Sequence, residues 1–223
     1  EFPEVLFESC ASGGGRFDPG MLYYAPQGWT SDDSDAIERL KIQYGTSLCY
    51  PISSMGSHVS VIPNHQVFRK TPLHTRANVA YFGTFGYELD LNSLKEEEIA
   101  EVKEQIIFMK KYRKLFQFGD FYRLKSPFEG NETIWMVVSE DKKTAIVGYY
   151  RTLNGVNQAY SRIKLQGLDP DMLYENILNK TENYGDELMN LGLLTTDVTA
   201  GEPTNEDLPC TDYESRIYVL TAE

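Results

Sequence analysis

Between Gly28 and Gly45 the sequence reads GWTSDDSDAIERLKIQYG, which crowds Asp32, Asp33 and Asp35 between a short apolar run and a helix-like run. Carboxylates so placed can cap a helix, hold a metal or act as acid and base on a substrate. Capping accounts for one of them, Asp35 or Asp33, because the free N–H groups of a first helical turn favour an acidic partner. Asp35 with Glu38 three residues on has the spacing of a capping box. A calcium loop would need D-x-[DN]-x-[DN]-G, which is absent. The third reading draws on Trp29. An aromatic face stacks on pyranose C–H groups while a strand-end carboxylate protonates a leaving oxygen.

Further candidates flank this cluster. The loop CASGGGRFDPG follows the apolar segment Val5–Ser9 but fits neither the dinucleotide nor the P-loop glycine spacing. It reads as a tight turn, or as a place where backbone N–H groups come close to a small polar ligand. Arg16 either meets a carboxylate at the rim or braces Asp18, the latter being favoured. Cys10 lies at a strand end without a Cys–His–Asp constellation, so it packs against or hydrogen-bonds a ligand rather than attacking one. His58, His65 and His74 have no zinc spacing, although His58 near a strand end is placed to line a pocket.

The elements that must position these residues fall into two textures. Up to about residue 116, strands alternate with helices, the pattern of a parallel sheet whose chemistry sits at the C-terminal strand ends. Strands are expected at Val5–Ser9, Gln27–Ser31, the SSMGSHVSV segment and VAYFGTFGYELDL, with helical segments at Pro19–Ala25 and Asp35–Tyr44. The strongest helix runs from Leu94 to Leu115, where Ile99, Val102, Ile106, Met109 and Tyr112 recur at helical spacing and Ser93 with Glu96 suggest a capping box. From residue 117 onward, short strands separated by turns suggest an antiparallel sandwich, with Asn183–Leu193 read as an edge strand.

The composition is that of a folded protein, with 41% hydrophobic and 13% aromatic residues over 223 positions. A net charge of −12 argues against a nucleic-acid or anionic-membrane surface. The three cysteines, Cys10, Cys49 and Cys210, form no CxxC pair and read as free thiols in a reducing, cytoplasmic setting. No signal peptide is expected at the start of the sequence.

From FESCASGGGRFDPGMLYYAPQGWTSDDSDAIERLKIQYGTSLCYPISSMGSHVSVIPNHQ to TPLHTRANVAYFGTFGYELDL, over Glu1 to Leu91, the chain resembles the C-terminal part of bacterial α-galactosidases of glycoside hydrolase family 36, the melibiase type. The resemblance implies an α/β fold followed by an all-β one. Residues 1–116 would be the second half of a (β/α)8 TIM barrel, strands five to eight, and residues 117–223 a C-terminal antiparallel β-sandwich. It implies retaining hydrolysis of terminal α-galactosyl residues of melibiose- or raffinose-type sugars, without cofactor or metal, in a homotetrameric full-length enzyme. The acid/base carboxylate then belongs to Ser31-Asp32-Asp33 and is assigned to Asp32, with Asp33 second. Cys10 and Gly13 match positions that contact galactose hydroxyls, with Trp29 and Arg16 in support.

One departure stands out. The family nucleophile lies in a Lys-Trp-Asp motif, and this sequence contains none. Retention needs two carboxylates roughly 5 Å apart. The isolated chain is therefore expected to be inactive. Two alternatives follow: a non-catalytic sugar-binding or assembly module, and a sibling α-N-acetylgalactosaminidase, against which the small Cys10–Gly13 loop speaks.

Overall fold

In the computed structural model, which describes residues 2–10, 15–156, 161–195 and 212–223, the chain separates into two units, Glu1–Gln117 and Phe118–Glu223. The first alternates β1 (Glu8–Ser9), α1 (Pro19–Tyr24), β2 (Gln27–Gly28), α2 (Ala36–Ser47), β3 (Gly56–Ser60), α3 (Leu73–Ala80), β4 (Thr84–Glu88) and α4 (Glu96–Phe118), which overruns the boundary by one residue. β1 pairs parallel with β2 and β3 parallel with β4, and one parallel bridge, Gly28 to Met55, joins the two pairs. All four C-terminal strand ends therefore lie at one edge, as a segment of a (β/α)8 barrel requires. Ile37 and Leu40 of α2, Met55 and Val59 around β3, and Ala77 to Phe82 at the end of α3 build the core.

Several expectations change. Val5, Leu6 and Phe7 are not a buried strand but are 50, 86 and 60% exposed, because nothing among the described residues pairs with the outer edge of β1. The strand from Gln27 stops at Gly28. Val79 and Ala80 end a helix rather than opening a strand. Ser93 and Glu96 form no capping box. Ser93 instead closes a 3₁₀ turn on Asp90, and Glu98 accepts the Lys95 N–H at 2.9 Å.

The second unit is an antiparallel β domain. β5 (Asp120–Lys125), β6 (Glu132–Val138), β7 (Thr144–Arg151), β9 (Leu173–Asn176), β10 (Glu182–Tyr184) and β12 (Glu214–Thr221) form one sheet in the order β10-β9-β12-β7-β6-β5. The second layer is small, made of the β8 (Arg162–Ile163)–β11 (Leu193–Leu194) pair and helix α5 (Gly185–Asn190). Met136, Val147, Tyr149, Tyr218 and Leu220 on one sheet face pack in a common core with Ile163, Leu165, Leu188 and Leu193. On alternate positions Trp135, Val137, Ile146 and Tyr150 are buried too. The edge strand expected over Asn183–Leu193 is thus mostly α5, where Glu187 accepts the Tyr184 N–H at 2.9 Å and starts the helix. Among the described residues no helix is long and apolar enough to cross a membrane.

Candidate active site

The three aspartates receive three different environments. Asp35 is buried at the N-cap of α2, where its Oδ1 accepts the N–H groups of Ile37 (3.0 Å) and Glu38 (3.1 Å) and pairs with Arg69. Glu38 does not complete the expected box. Its carboxylate goes to Arg69 and Lys41, and Asp33 Oδ1 accepts the Asp35 N–H instead, at 3.0 Å. Asp33 is half-buried, and its own N–H donates to Ser31 Oγ at 3.1 Å. Asp32 is exposed, with no hydrogen bond or ion pair to a described residue. The loop carrying it is fixed from β3 and the segment after it: Ser60 Oγ donates to the Ser34 carbonyl at 2.8 Å, and Asn64 Nδ2 donates to Ser34 Oγ at 3.3 Å.

Below this loop sits a residue that helical periodicity assigns to a polar face. Arg39 is 2% exposed, donates through Nε to Gln43 and through Nη2 to the Gly56 carbonyl, and lies 4.8 Å from the centroid of the Trp29 ring. Burial pushes its pKa down to about 10, against the upward pull of Asp33 and Glu88. Gln43 is equally engaged, accepting Ser57 Oγ at 2.8 Å and donating to the carbonyls of Val79 and Phe82. The geometry explains why the pair is needed. Past the Gly28–Met55 bridge, β2 ends and β3 continues, and Arg39 supplies the donor that Gly56 lacks from a neighbouring strand.

Trp29 is held at the end of β2 by its N–H to the Ser9 carbonyl at 2.9 Å, which sets it next to the strand leading into Cys10. Its ring stacks on His58 with centroids 4.6 Å apart and planes at 22°. Indole and imidazole lie over glycines of the next strand. A Cβ on Gly56 would come 2.9 Å from Trp29 Cε3, and one on Gly86 3.0 Å from His58 Cδ2. Nδ1 of His58 has no hydrogen bond, and Glu88 Oε2 stands 3.6 Å from it.

Cys10 and Arg16 line a common cavity of about 530 Å³ with Phe7, Glu8, Ser9, Met21, Tyr24 and Ala25. Arg16 does not brace Asp18, whose carboxylate caps α1 by accepting the Met21 N–H at 2.9 Å. Gly13 lies outside the described residues, as does Cys210. Cys10 and Cys49 are free and exposed. The structure therefore groups Cys10 with Arg16, and Asp33 and Trp29 with Arg39 and His58. Sequence reasoning missed Arg39 as a site residue; Gly56 and Gly86, whose missing Cβ atoms make room for Trp29 and His58, are the signal for the stacked pair.

Residues 1–119 match the family described as Melibiase, and residues 132–220 the glycosyl hydrolase family 36 C-terminal domain. The chain is 58% identical over 192 residues to α-galactosidase AgaA of Geobacillus stearothermophilus, covering 86% of this chain and 26% of that protein. With α-galactosidase Mel36A of Lactobacillus acidophilus it shares 50% over 191 residues, with the same two coverages. Among solved structures, a variant of AgaA in complex with raffinose superposes with a TM-score of 0.91 at 51% identity, over 100% of this chain and 29% of that one. The α-galactosidase of Lactobacillus brevis gives 0.92 at 50%, over 100% and 30%. The chain thus spans about a quarter of the length of the curated relatives it matches.

Proposed function

The chain belongs to the melibiase family, glycoside hydrolase family 36, and from that premise we propose that it forms part of a retaining α-galactosidase in which Asp32 is the acid/base. The observation that carries this reading is the division among the three aspartates. Asp35 and Asp33 are spent on the start of α2, whereas Asp32, just past the C-terminal end of β2, is exposed and unengaged. In the proposed reaction Asp32 gives its proton to the glycosidic oxygen as the bond to the anomeric carbon breaks. In the second half it takes a proton from the water that releases galactose. Cys10 and Gly13 would contact the galactose hydroxyls, with Trp29 and Arg16 beside them. The relative holding raffinose supports α-galactosides of that type as substrates.

A retaining mechanism needs a second carboxylate, and the Lys-Trp-Asp motif that would carry it is absent from these 223 residues. The nucleophile is therefore assigned to residues outside this chain. The test is Asp32→Asn in the full-length protein. Hydrolysis of raffinose should fall by about 10²–10⁴-fold, with a much smaller loss on an aryl galactoside whose good leaving group needs little protonation. Undiminished raffinose hydrolysis, or the same pattern from Asp33→Asn instead, would overturn the assignment.

The exposed Val5, Leu6 and Phe7 favour a second reading for the isolated chain, as a non-catalytic piece whose apolar edge awaits a partner. Galactoside hydrolysis by the purified 223-residue chain would remove that reading, and with it the external nucleophile.

A further inference from the structure

We propose that His58, faced by Glu88, is a positioning residue that fixes the plane of Trp29 at the galactoside site. The inference rests on the reading that Trp29 borders bound galactose, and it adds the residues that set the indole's attitude. An indole beside a sugar contributes only when its face is held at a constant tilt, because ring C–H groups must meet the π-surface rather than its edge. Here the tilt has a visible source. His58 stacks on the indole at 4.6 Å and 22°, and Arg39 lies over it at 4.8 Å. Gly56 and Gly86 remove the two Cβ atoms that would lift the rings off the sheet.

His58 has few other occupations. Its side chain is 27% exposed, and Nδ1 is without a hydrogen bond while Glu88 Oε2 waits at 3.6 Å on the strand paired with β3. That distance is too long for a hydrogen bond, but it leaves the carboxylate facing the ring nitrogen. A histidine required only for packing would be served by an apolar ring. One whose ring is stacked on a tryptophan and whose nitrogen faces a strand-end carboxylate can be turned by that carboxylate, and the indole turns with it.

The experiment compares His58→Ala, His58→Phe and Glu88→Gln in the full-length protein, each beside Asp32→Asn. His58→Ala should raise KM for raffinose about threefold to tenfold, the range for loss of one stacked aromatic pair, with kcat little changed. His58→Phe, which keeps the stack but loses the nitrogen facing Glu88, should recover only part of that loss. Glu88→Gln, on an exposed side chain, should show a smaller rise in KM at unchanged thermal stability. Acrylamide quenching gives an activity-free readout in the full-length protein, where the Trp29 signal is the difference between each protein and its Trp29→Phe counterpart. His58→Ala should raise the quenching constant of that difference signal. Unchanged KM and unchanged quenching in His58→Ala overturn the inference, as does full recovery of KM by His58→Phe together with no effect of Glu88→Gln. If Asp32→Asn leaves raffinose hydrolysis intact, the acid/base assignment fails instead, and the quenching result still decides whether His58 holds Trp29.

Discussion

Replacing Asp35 and Asp32 separately by alanine should give opposite results in the same assay. Asp35 caps α2 through two backbone N–H groups and holds Arg69, with its own side chain 2% exposed. Loss of an N-cap costs about 1 kcal/mol. Breaking a buried ion pair costs about 3–5 kcal/mol, but Arg69 is 21% exposed and keeps Glu38 at 3.3 Å, so about 1–3 kcal/mol is the appropriate share. Asp35→Ala should therefore destabilise the first unit by about 2–4 kcal/mol, the sum of those two terms. Asp35→Asn retains the cap and should lose only the Arg69 share. Asp32→Ala removes an exposed, unengaged side chain and should stay within about 0.5 kcal/mol of the parent. Urea unfolding followed by far-UV circular dichroism reads this directly, since α1 to α4 all lie in or start in the first unit. Equal losses from Asp32→Ala and Asp35→Ala would refute the separation of roles on which the acid/base assignment stands.

Two further outcomes follow from buried groups in the same unit. Burial first raises the phenols of Tyr81 and Tyr87 above their ordinary 10.0, with Tyr87 and then Glu101 adding to the rise at Tyr81 and Glu101 to that at Tyr87. The fold therefore favours the neutral phenols, and its stability is intact below about pH 10 and declines above it as the unfolded chain ionises first. The Tyr81→Phe, Tyr87→Phe double variant should flatten that alkaline decline in a pH series of thermal melts, and an unchanged slope would exclude these two phenols as its cause. Gln43→Leu leaves the Ser57 hydroxyl and the carbonyls of Val79 and Phe82 without their partner and should lower stability by about 2–3 kcal/mol, read by urea titration; a loss below about 0.5 kcal/mol would show that other groups bond these atoms.

What sequence reasoning reached depended on whether a residue's role was local. The start of α2 was legible because a cap and its helix are neighbours in the chain, and so was α4, whose apolar stripe recurs over many turns. Helix α3 was not. It begins after Pro72 without a side-chain cap, and His74, Thr75 and Arg76 interrupt its apolar periodicity, although Thr75 and Arg76 are buried. Strands β1 and β2 were overestimated because their apolar flanks imply a longer ladder than their two-residue pairing provides. In the site, the aspartates announced themselves by crowding. Arg39 did not, because a buried arginine and an exposed one occupy the same place in a helical pattern, and only the unpaired Gly56 carbonyl on another element separates them.

The bridge between Gly28 and Met55 gives the parallel sheet a seam, where a single backbone bridge is supplemented by side chains, Arg39 on the Gly56 carbonyl and Trp29 stacked on His58. Across every other strand boundary in that sheet continuity is a property of the main chain and is indifferent to side-chain identity. At the seam it depends in part on side chains. Substitution of Arg39 would leave the Gly56 carbonyl without that donor beside Trp29 and the carboxylate loop, so the part of the molecule richest in candidate chemistry also leans on side-chain identity for its architecture.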